Sequence, residues 1–338
     1  MNHFASENNT LLFIAEIGGN HEGDFAYAEH LAQLAIDSGA DAVKFQIYAG
    51  DSLVSRVEGA ARNAHFKKFE LGREKYEHLA EMCRKAGVMF MASVWDADRL
   101  AWADKLIPIH KVGSGDFTCF PLIKKLVASD KPLILSTGLC TLAEVRRTIE
   151  YVRSLDPTYI TGHKLALLQC TTSYPCPDQD ANLRAMTMLK EAFGLPTGYS
   201  DHTLGMDAVI AAATMGAEII EAHFTDSRDN KTFRDHLVSL TRDEVREFLD
   251  LTRKIKTLQG QALKVPTESE VSSGHIPQFR RAVYAAKDIA RGEVFSEDNL
   301  TVLRPEHGIP AHRFDEALGR KAARDIAFHQ AIQEDDLS

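Results

Sequence analysis

Residues 195–226, "LPTGYSDHTLGMDAVIAAATMGAEIIEAHFTD", contain the unit from which the fold is read. Two short apolar runs, "LPTGYSDH" and "EIIEAHFT", flank a stretch with helical spacing, and "MGAEII" marks where that stretch stops and the next run starts. Glycine ends a helix well because it takes up the left-handed conformation without a Cβ penalty. The same join returns as "SGADAV" and "KAGVMF". Working outward, six more apolar runs precede this unit: "LLFIAEIG", "DAVKFQ", "GVMFMASV", "IHKVGSG", "PLILSTG" and "LALLQCTTSYP". In "FAYAEHLAQLAIDSGA", Phe25, Ala28, Leu31 and Leu34 recur at three-residue steps, and the segment closes on Gly39. Eight strand–helix units in about 250 residues predict an α/β fold, a (β/α)8 TIM barrel. The rival is an open doubly wound sheet, but no GxGxxG follows the first run.

After Ala262 the texture changes. "KVPTESEVSSGHIPQ" is polar and holds Pro, Gly and Ser, so it reads as a linker. The expected division is a barrel over 1–262, a linker over 263–278 and a small C-terminal domain over 279–338, which is marginal in size unless docked. The chain carries 39 Lys plus Arg against 48 Asp plus Glu, a net charge of −9, and no basic stripe, which argues against nucleic acid as a partner. Five scattered cysteines without a CxxC pair argue against a disulfide framework or a cysteine-based zinc site. No run reaches the length of a membrane span, and "MNHFASENNTLLFIAEIGG" lacks a basic region ahead of its apolar run. The expectation is a soluble cytoplasmic protein.

Barrel enzymes carry their chemistry at the C-terminal ends of the strands. The polar residues of this chain collect there: Glu16 on the first run, Lys44 and Gln46 on the second, Ser93 on the third, Lys111, Ser114 and Asp116 on the fourth, Ser136 on the fifth, Thr172 and Tyr174 on the sixth, His202 on the seventh, and Glu221 and His223 on the eighth. A lysine inside an apolar run must find a counter-charge or a ligand. Lys44 and Lys111 with Ser93, Ser114 and Ser136 compose a positive, hydroxyl-rich pocket suited to a phosphate plus a carboxylate. The alternative is that the lysines pair separately with Glu16, Asp116 and Glu221 and have no ligand. A lone histidine is ordinarily a satisfied core or surface residue. Two at the ends of neighbouring strands can face one borderline transition metal and leave positions open for substrate.

These motifs resemble a known family. "FIAEIGGNHEGD", "GADAVKFQ", "HKVGSGD", "KPLILSTG", "LLQCTTSYP", "GYSDHTLG" and "IIEAHFTD" resemble the sialic acid synthases, the phosphoenolpyruvate-condensing nonulosonate synthases. "AAKDIARGEVFSEDNLTVLRP" resembles their C-terminal antifreeze-like (SAF) domain. The resemblance implies condensation of phosphoenolpyruvate with the open-chain aldehyde of N-acetylmannosamine or a related hexosamine, with release of phosphate and formation of a nine-carbon keto acid. It implies that His202 and His223 hold a divalent metal, Mn2+ by preference with Mg2+ or Co2+ as alternatives. Lys44, Ser93, Lys111, Ser114, Ser136 and Thr172 would contact phosphoenolpyruvate. Tyr174 and Asp235 would contact the sugar. Glu16, Asp116 and Glu221 are the candidate catalytic carboxylates. Arg304 matches an arginine donated to the partner subunit's site, which implies a domain-swapped homodimer.

Several positions depart from the family pattern: Gln169 for a histidine, Thr172 for an asparagine, "ASVWD" for "STPFD", "TFRDH" for a "GPDH"-like loop and "RPEHG" for "RPGNG". Most border the sugar side, so a diacetamido hexose, as in legionaminic acid synthesis, is the alternative substrate. Asn63 is the nearest candidate for an asparagine expected after the second strand. Two other readings are a synthase making a seven- or eight-carbon keto acid, against which the tail argues, and a non-catalytic sugar-binding barrel, against which Glu16, the lysines and the histidines argue.

Overall fold

A computed structural model of the chain describes residues 3–7 and 10–338. The chain divides into two compact units, one ending at Gly260 and one spanning Gln261–Ser338. The first unit holds eight parallel strands: β1 (Leu12–Gly18), β2 (Ala42–Ile47), β3 (Met89–Val94), β4 (His110–Val112), β5 (Leu133–Ser136), β6 (Leu165–Cys170), β7 (Thr197–Asp201) and β8 (Ile219–His223). They coincide with the eight apolar runs. The ladder runs β3-β2-β1-β8-β7-β6-β5-β4, so β8 pairs back onto β1. β3 and β4 lie side by side without a ladder between them, and the barrel is nearly closed.

The helix stops act as the sequence indicates. Gly39, Gly87 and Gly216 have φ values of +86°, +70° and +92°, and each turns the chain from a helix into the next strand. The helix Phe25–Asp37 begins with Asp24 accepting from the Tyr27 amide and buries Ala28, Leu31, Ala32 and Ala35.

Alternation along each strand sorts side chains between two cores. Phe13, Ala15 and Ile17 of β1 face the helices with Val43, Phe45 and Leu167. Leu12 and Ile14 face the barrel axis with Ala42, Met91, Ile109, Ile134, Leu168 and Ile219. The inward set is apolar at the N-terminal end of the barrel. Continued two residues at a time toward the C-terminal end, it becomes Glu16, Lys44, Ser93, Lys111, Ser136, Glu221 and His223.

The second unit pairs β9 (Ala282–Ala285) with β10 (Leu300–Leu303) antiparallel over a small core that includes Val283, Ile289, Phe295, Leu300, Ile309 and Ile332. The buried Asp336 receives two hydrogen bonds from the Arg324 guanidinium, at 2.6 and 3.0 Å. The stretch expected to be a plain linker carries two short helices, Glu268–Ser272 and His275–Phe279. The first is opened by a capping box in which Thr267 and Glu270 exchange bonds. Thr-x-x-Glu was the available signal, and the surrounding polar composition concealed it.

Two stability predictions follow from this architecture. A Cβ at Gly198 would lie 2.0 Å from the Ile219 carbonyl oxygen, inside the β7–β8 pairing. Gly198→Ala is expected to cost about 3 kcal/mol and to lower the melting temperature by roughly 5–10 °C; an unchanged melting curve would contradict the close strand approach. His21, just after β1, is buried and its Nδ1 accepts from the Gly23 amide at 3.0 Å. Burial, aided by the Lys75 charge, pushes its pKa down to about 4 from the ordinary 6.5. The native state therefore binds fewer protons than the unfolded state between those values, and stability is lost as pH falls from 6.5 to 4. Denaturant titrations are expected to show a steeper acid loss for the wild type than for His21→Gln, by about 3 kcal/mol over that range; parallel curves would show that His21 is not buried neutral.

Candidate active site

The C-terminal ends of the strands open into one cavity of about 1340 Å3. Glu16, Lys44, Ser93, Lys111, Ser114, Asp116, Ser136, Thr172, Tyr174, His202, Glu221, His223 and Asp235 all line it. Of the site residues read from the sequence, Arg304 alone is carried by the second unit, where its guanidinium lies over the Phe279 ring at 5.8 Å.

Cross-strand register builds the floor. Glu16 pairs in register with Lys44 on one side and with His223 on the other. The Lys44 ammonium lies 2.5 Å from Glu16 and 3.8 Å from Glu221, and its third neighbour is the Ser93 hydroxyl at 3.5 Å. Lys111 reaches Glu221 at 3.3 Å from the opposite side of the barrel. Glu221 also accepts from the Ser200 hydroxyl at 2.9 Å. All four charged groups are buried, two of each sign. Burial works against the Glu221 carboxylate, but Lys111 and Lys44 together hold its pKa down at about 2. For Glu16 burial wins over the pull of Lys44, with help from the Glu221 charge, and its pKa is raised. The two carboxylates thus divide: Glu221 is a fixed counter-ion and Glu16 is the one inclined to carry a proton. Asp116, raised by burial against the pull of Lys111, is a second such group.

Two hydroxyls in this cavity, those of Ser114 and Ser136, are buried without a hydrogen-bond partner. Gly138 sets their surroundings: a Cβ there would lie 2.6 Å from the Ser114 hydroxyl and 2.7 Å from that of Thr172. The glycine thus leaves open the space beside two of the hydroxyls in a cavity that Ser136, Lys44 and Lys111 also line. That donor set suits a multiply charged oxyanion.

The rings of His202 and His223 lie 5.3 Å apart, centre to centre, with the Tyr174 ring tilted against His202 at 4.0 Å. His202 Nδ1 donates to the Thr171 carbonyl at 2.7 Å, which leaves Nε2 as the nitrogen turned to a ligand; burial works against the charged ring, but Cys170 and that carbonyl outweigh it and raise the His202 pKa. Nδ1 of His223 is buried with no partner, and burial holds this imidazole neutral, with a pKa of about 4. Two neighbouring imidazoles, one of them held neutral by burial, fit a divalent metal, which binds His202 in its neutral form. No group of three or more His, Cys, Asp or Glu side chains able to hold a metal occurs among the described residues, so two ligands with open positions is the arrangement these side chains support.

The comparisons with known proteins bear on this geometry. A model described as "NeuB family" matches residues 31–264, and one described as "SAF domain" matches residues 280–338. The chain belongs to the NeuB family. It is 36% identical to N,N'-diacetyllegionaminic acid synthase of Campylobacter jejuni, over 96% of this chain and 99% of that protein. It is 28% identical to human N-acetylneuraminate-9-phosphate synthase, over 95% of this chain and 91% of that protein.

 

Among solved structures, the N-acetylneuraminic acid synthetase of Leptospira borgpetersenii superposes with a TM-score of 0.72 at 30% identity, covering 79% of this chain and 91% of that one. Membership makes the chain a phosphoenolpyruvate-dependent condensing enzyme.

Two expectations change in the structure. Asn63 does not line the cavity. Its amide nitrogen is spent on the Gly50 and Val54 carbonyls, at 2.9 and 2.7 Å, and it staples the loop after β2. Gln169 is likewise committed, donating to the Ala181 carbonyl at 3.1 Å. Sequence reading named Gln46 at the end of the second strand without giving it a role, and passed over Ser200 and Gly138. Ser200 precedes His202 by two residues and Gln46 follows Lys44 by two, so strand alternation was a signal for both. Gln46 donates to Glu16 at 2.9 Å. Gly138 carried no signal, because its role is a contact among three loops. Gly138→Ala is expected to raise the KM for phosphoenolpyruvate at least tenfold while the circular dichroism spectrum is retained; an unchanged KM would remove the hydroxyl cradle from the account.

Proposed function

We propose that this chain condenses phosphoenolpyruvate with the open-chain aldehyde of an N-acylated hexosamine, releasing phosphate and forming a nine-carbon 2-keto sugar acid. The observation that carries the reading is one cavity that presents two buried ammonium groups, the hydroxyls of Ser114, Ser136 and Thr172, and the neighbouring imidazoles of His202 and His223. Lys44, Lys111, Ser93, Ser114, Ser136 and Thr172 hold the phosphate and carboxylate of phosphoenolpyruvate. Tyr174 and Asp235 position the sugar. A divalent metal held by His202 and His223, Mn2+ by preference, would supply Lewis-acid polarisation of the aldehyde.

The electron count is simple. The C2–C3 π pair of phosphoenolpyruvate forms the new bond to the aldehyde carbon, and the aldehyde oxygen takes up a proton. Water adds at C2, and the tetrahedral intermediate expels phosphate to leave the ketone. Glu16, whose pKa is raised by burial, is the group suited to give or take a proton at these oxygens. Glu221 stays ionised and keeps the lysines in place. Arg304, on the SAF unit, is assigned to the partner's site of a domain-swapped homodimer.

The substrate sugar is either N-acetylmannosamine or a diacetamido hexose. The Campylobacter jejuni relative is named for a diacetylated product, which favours the second. The reading is tested by incubating the purified protein with phosphoenolpyruvate, Mn2+ and a panel of hexosamines and following phosphate. Release with an N-acylated hexosamine is expected; no release with any sugar, or release with arabinose 5-phosphate alone, would overturn it. His202→Ala is expected to weaken Mn2+ binding in calorimetry and to lower kcat/KM by about 10–100-fold. Undiminished Mn2+ binding would remove the metal assignment.

A further inference from the structure

The proposed reaction gives no role to Asn20, although this side chain is fully buried in the turn just after β1. Its amide nitrogen spends both hydrogens. One goes to the Phe224 carbonyl at 2.8 Å and one to the Ser239 hydroxyl at 2.9 Å. The Ser239 hydroxyl donates in turn to the Asp235 carbonyl at 2.7 Å. A hydroxyl has a single hydrogen, so Ser239 accepts from Asn20 and gives to Asp235. The direction of the relay is therefore fixed: Asn20 to Ser239 to Asp235. All three residues are buried. The Asn20 side-chain oxygen is buried too and has no hydrogen-bond partner. The position thus uses the amide for its two donors alone.

These bonds join two parts of the site. Phe224 follows His223 directly, at the end of β8. The chain then leaves the barrel at residue 226 and returns at residue 239. The return is pinned by backbone bonds: the Leu240 amide donates to the His223 carbonyl at 2.7 Å, and the Thr225 amide to the Leu240 carbonyl at 3.0 Å. Asp235 rides on this excursion, in the short turn Arg234–Val238. Its carboxylate accepts from Arg234 at 3.2 Å, an exposed neighbour on the same loop that ties it to nothing else in the barrel. The placement of the carboxylate therefore depends on its own backbone, which Ser239 and Asn20 hold. A second tie comes from the same turn after β1. His236 Nε2 lies 3.4 Å from Glu22, and its Nδ1 lies 2.7 Å from the Thr225 hydroxyl. The Asp235 carboxylate lines the cavity, near enough for its charge to act on both His223 and Tyr174.

We propose that Asn20 is a positioning residue: through Ser239 it sets where the Asp235 carboxylate stands relative to His223, and thereby how tightly the sugar is held. The inference rests on the synthase reading, in which Asp235 contacts the sugar. A small misplacement of a substrate-positioning group is costly even when the altered residue touches no substrate. None of the three bonds involves Lys44, Lys111, Ser114 or Ser136, so the responses to the sugar and to phosphoenolpyruvate separate.

The test follows phosphate release with phosphoenolpyruvate, Mn2+ and either N-acetylmannosamine or a diacetamido hexose. Ser239→Ala keeps the bond from Asn20 to Phe224 and removes only the link to Asp235. It is expected to raise the sugar KM about tenfold and to leave the KM for phosphoenolpyruvate within about twofold. Asn20→Asp keeps the shape and removes both donors, and it should raise the sugar KM at least as far. Should Asn20→Asp fold poorly by circular dichroism, Ser239→Ala carries the test. A cycle with Asp235→Ala separates positioning from general loosening. In that background Ser239→Ala should change the sugar KM by less than about twofold, because the group it places is gone. The same loss in both backgrounds, or an unchanged sugar KM in the single variants, overturns the positioning role and leaves the synthase reading standing. No release by the wild type with either sugar overturns the synthase reading. Calorimetric affinity for the two sugars then decides the positioning role through the same cycle, and absent or unchanged binding overturns it.

Discussion

Two ammonium groups stand inside the barrel of this protein, and the rest of the site is arranged around keeping them there. An unpaired lysine in such surroundings loses its charge or unfolds its neighbourhood. Glu221 solves this for both at once, lying 3.3 Å from Lys111 and 3.8 Å from Lys44, and Glu16 takes the remaining side of Lys44. These carboxylates hold the two lysine side chains in place before any substrate arrives. Electrostatic preorganisation of this kind is what a site for a transferring oxyanion requires.

The barrel supplies the geometry. Parallel pairing sets Glu16 beside both Lys44 and His223, and strand alternation brings the inward residues to one level. The apolar half of the barrel interior anchors the polar half: Leu12, Ala42 and Ile219 lie two steps or one below the charged groups on the same strands. Ammonium groups, hydroxyls and a pair of imidazoles thus face one volume.

How much of this was legible in the sequence depended on the range of the interaction. The eight strands were, because each is a short apolar run, several of them entered through a helix stop such as Gly39 or Gly216. Lys44, Lys111, His202 and His223 were legible as polar residues at the ends of such runs. Ser200 and Gln46 needed the period of two applied to residues with a bland default role. Gly138 was beyond reach, since its role depends on loops distant in sequence meeting over the barrel mouth. Asn63 shows the converse: a residue in the expected place whose amide is consumed by its own loop.

The central claim is that the buried lysines form an anion seat ready before the sugar binds. Calorimetric titration of phosphoenolpyruvate into the sugar-free protein tests it most directly, with Lys111→Met as the comparison. The account predicts measurable binding to the wild type and at least a hundredfold loss in the variant, with the fold retained by circular dichroism. Equal affinity in the two proteins would contradict it.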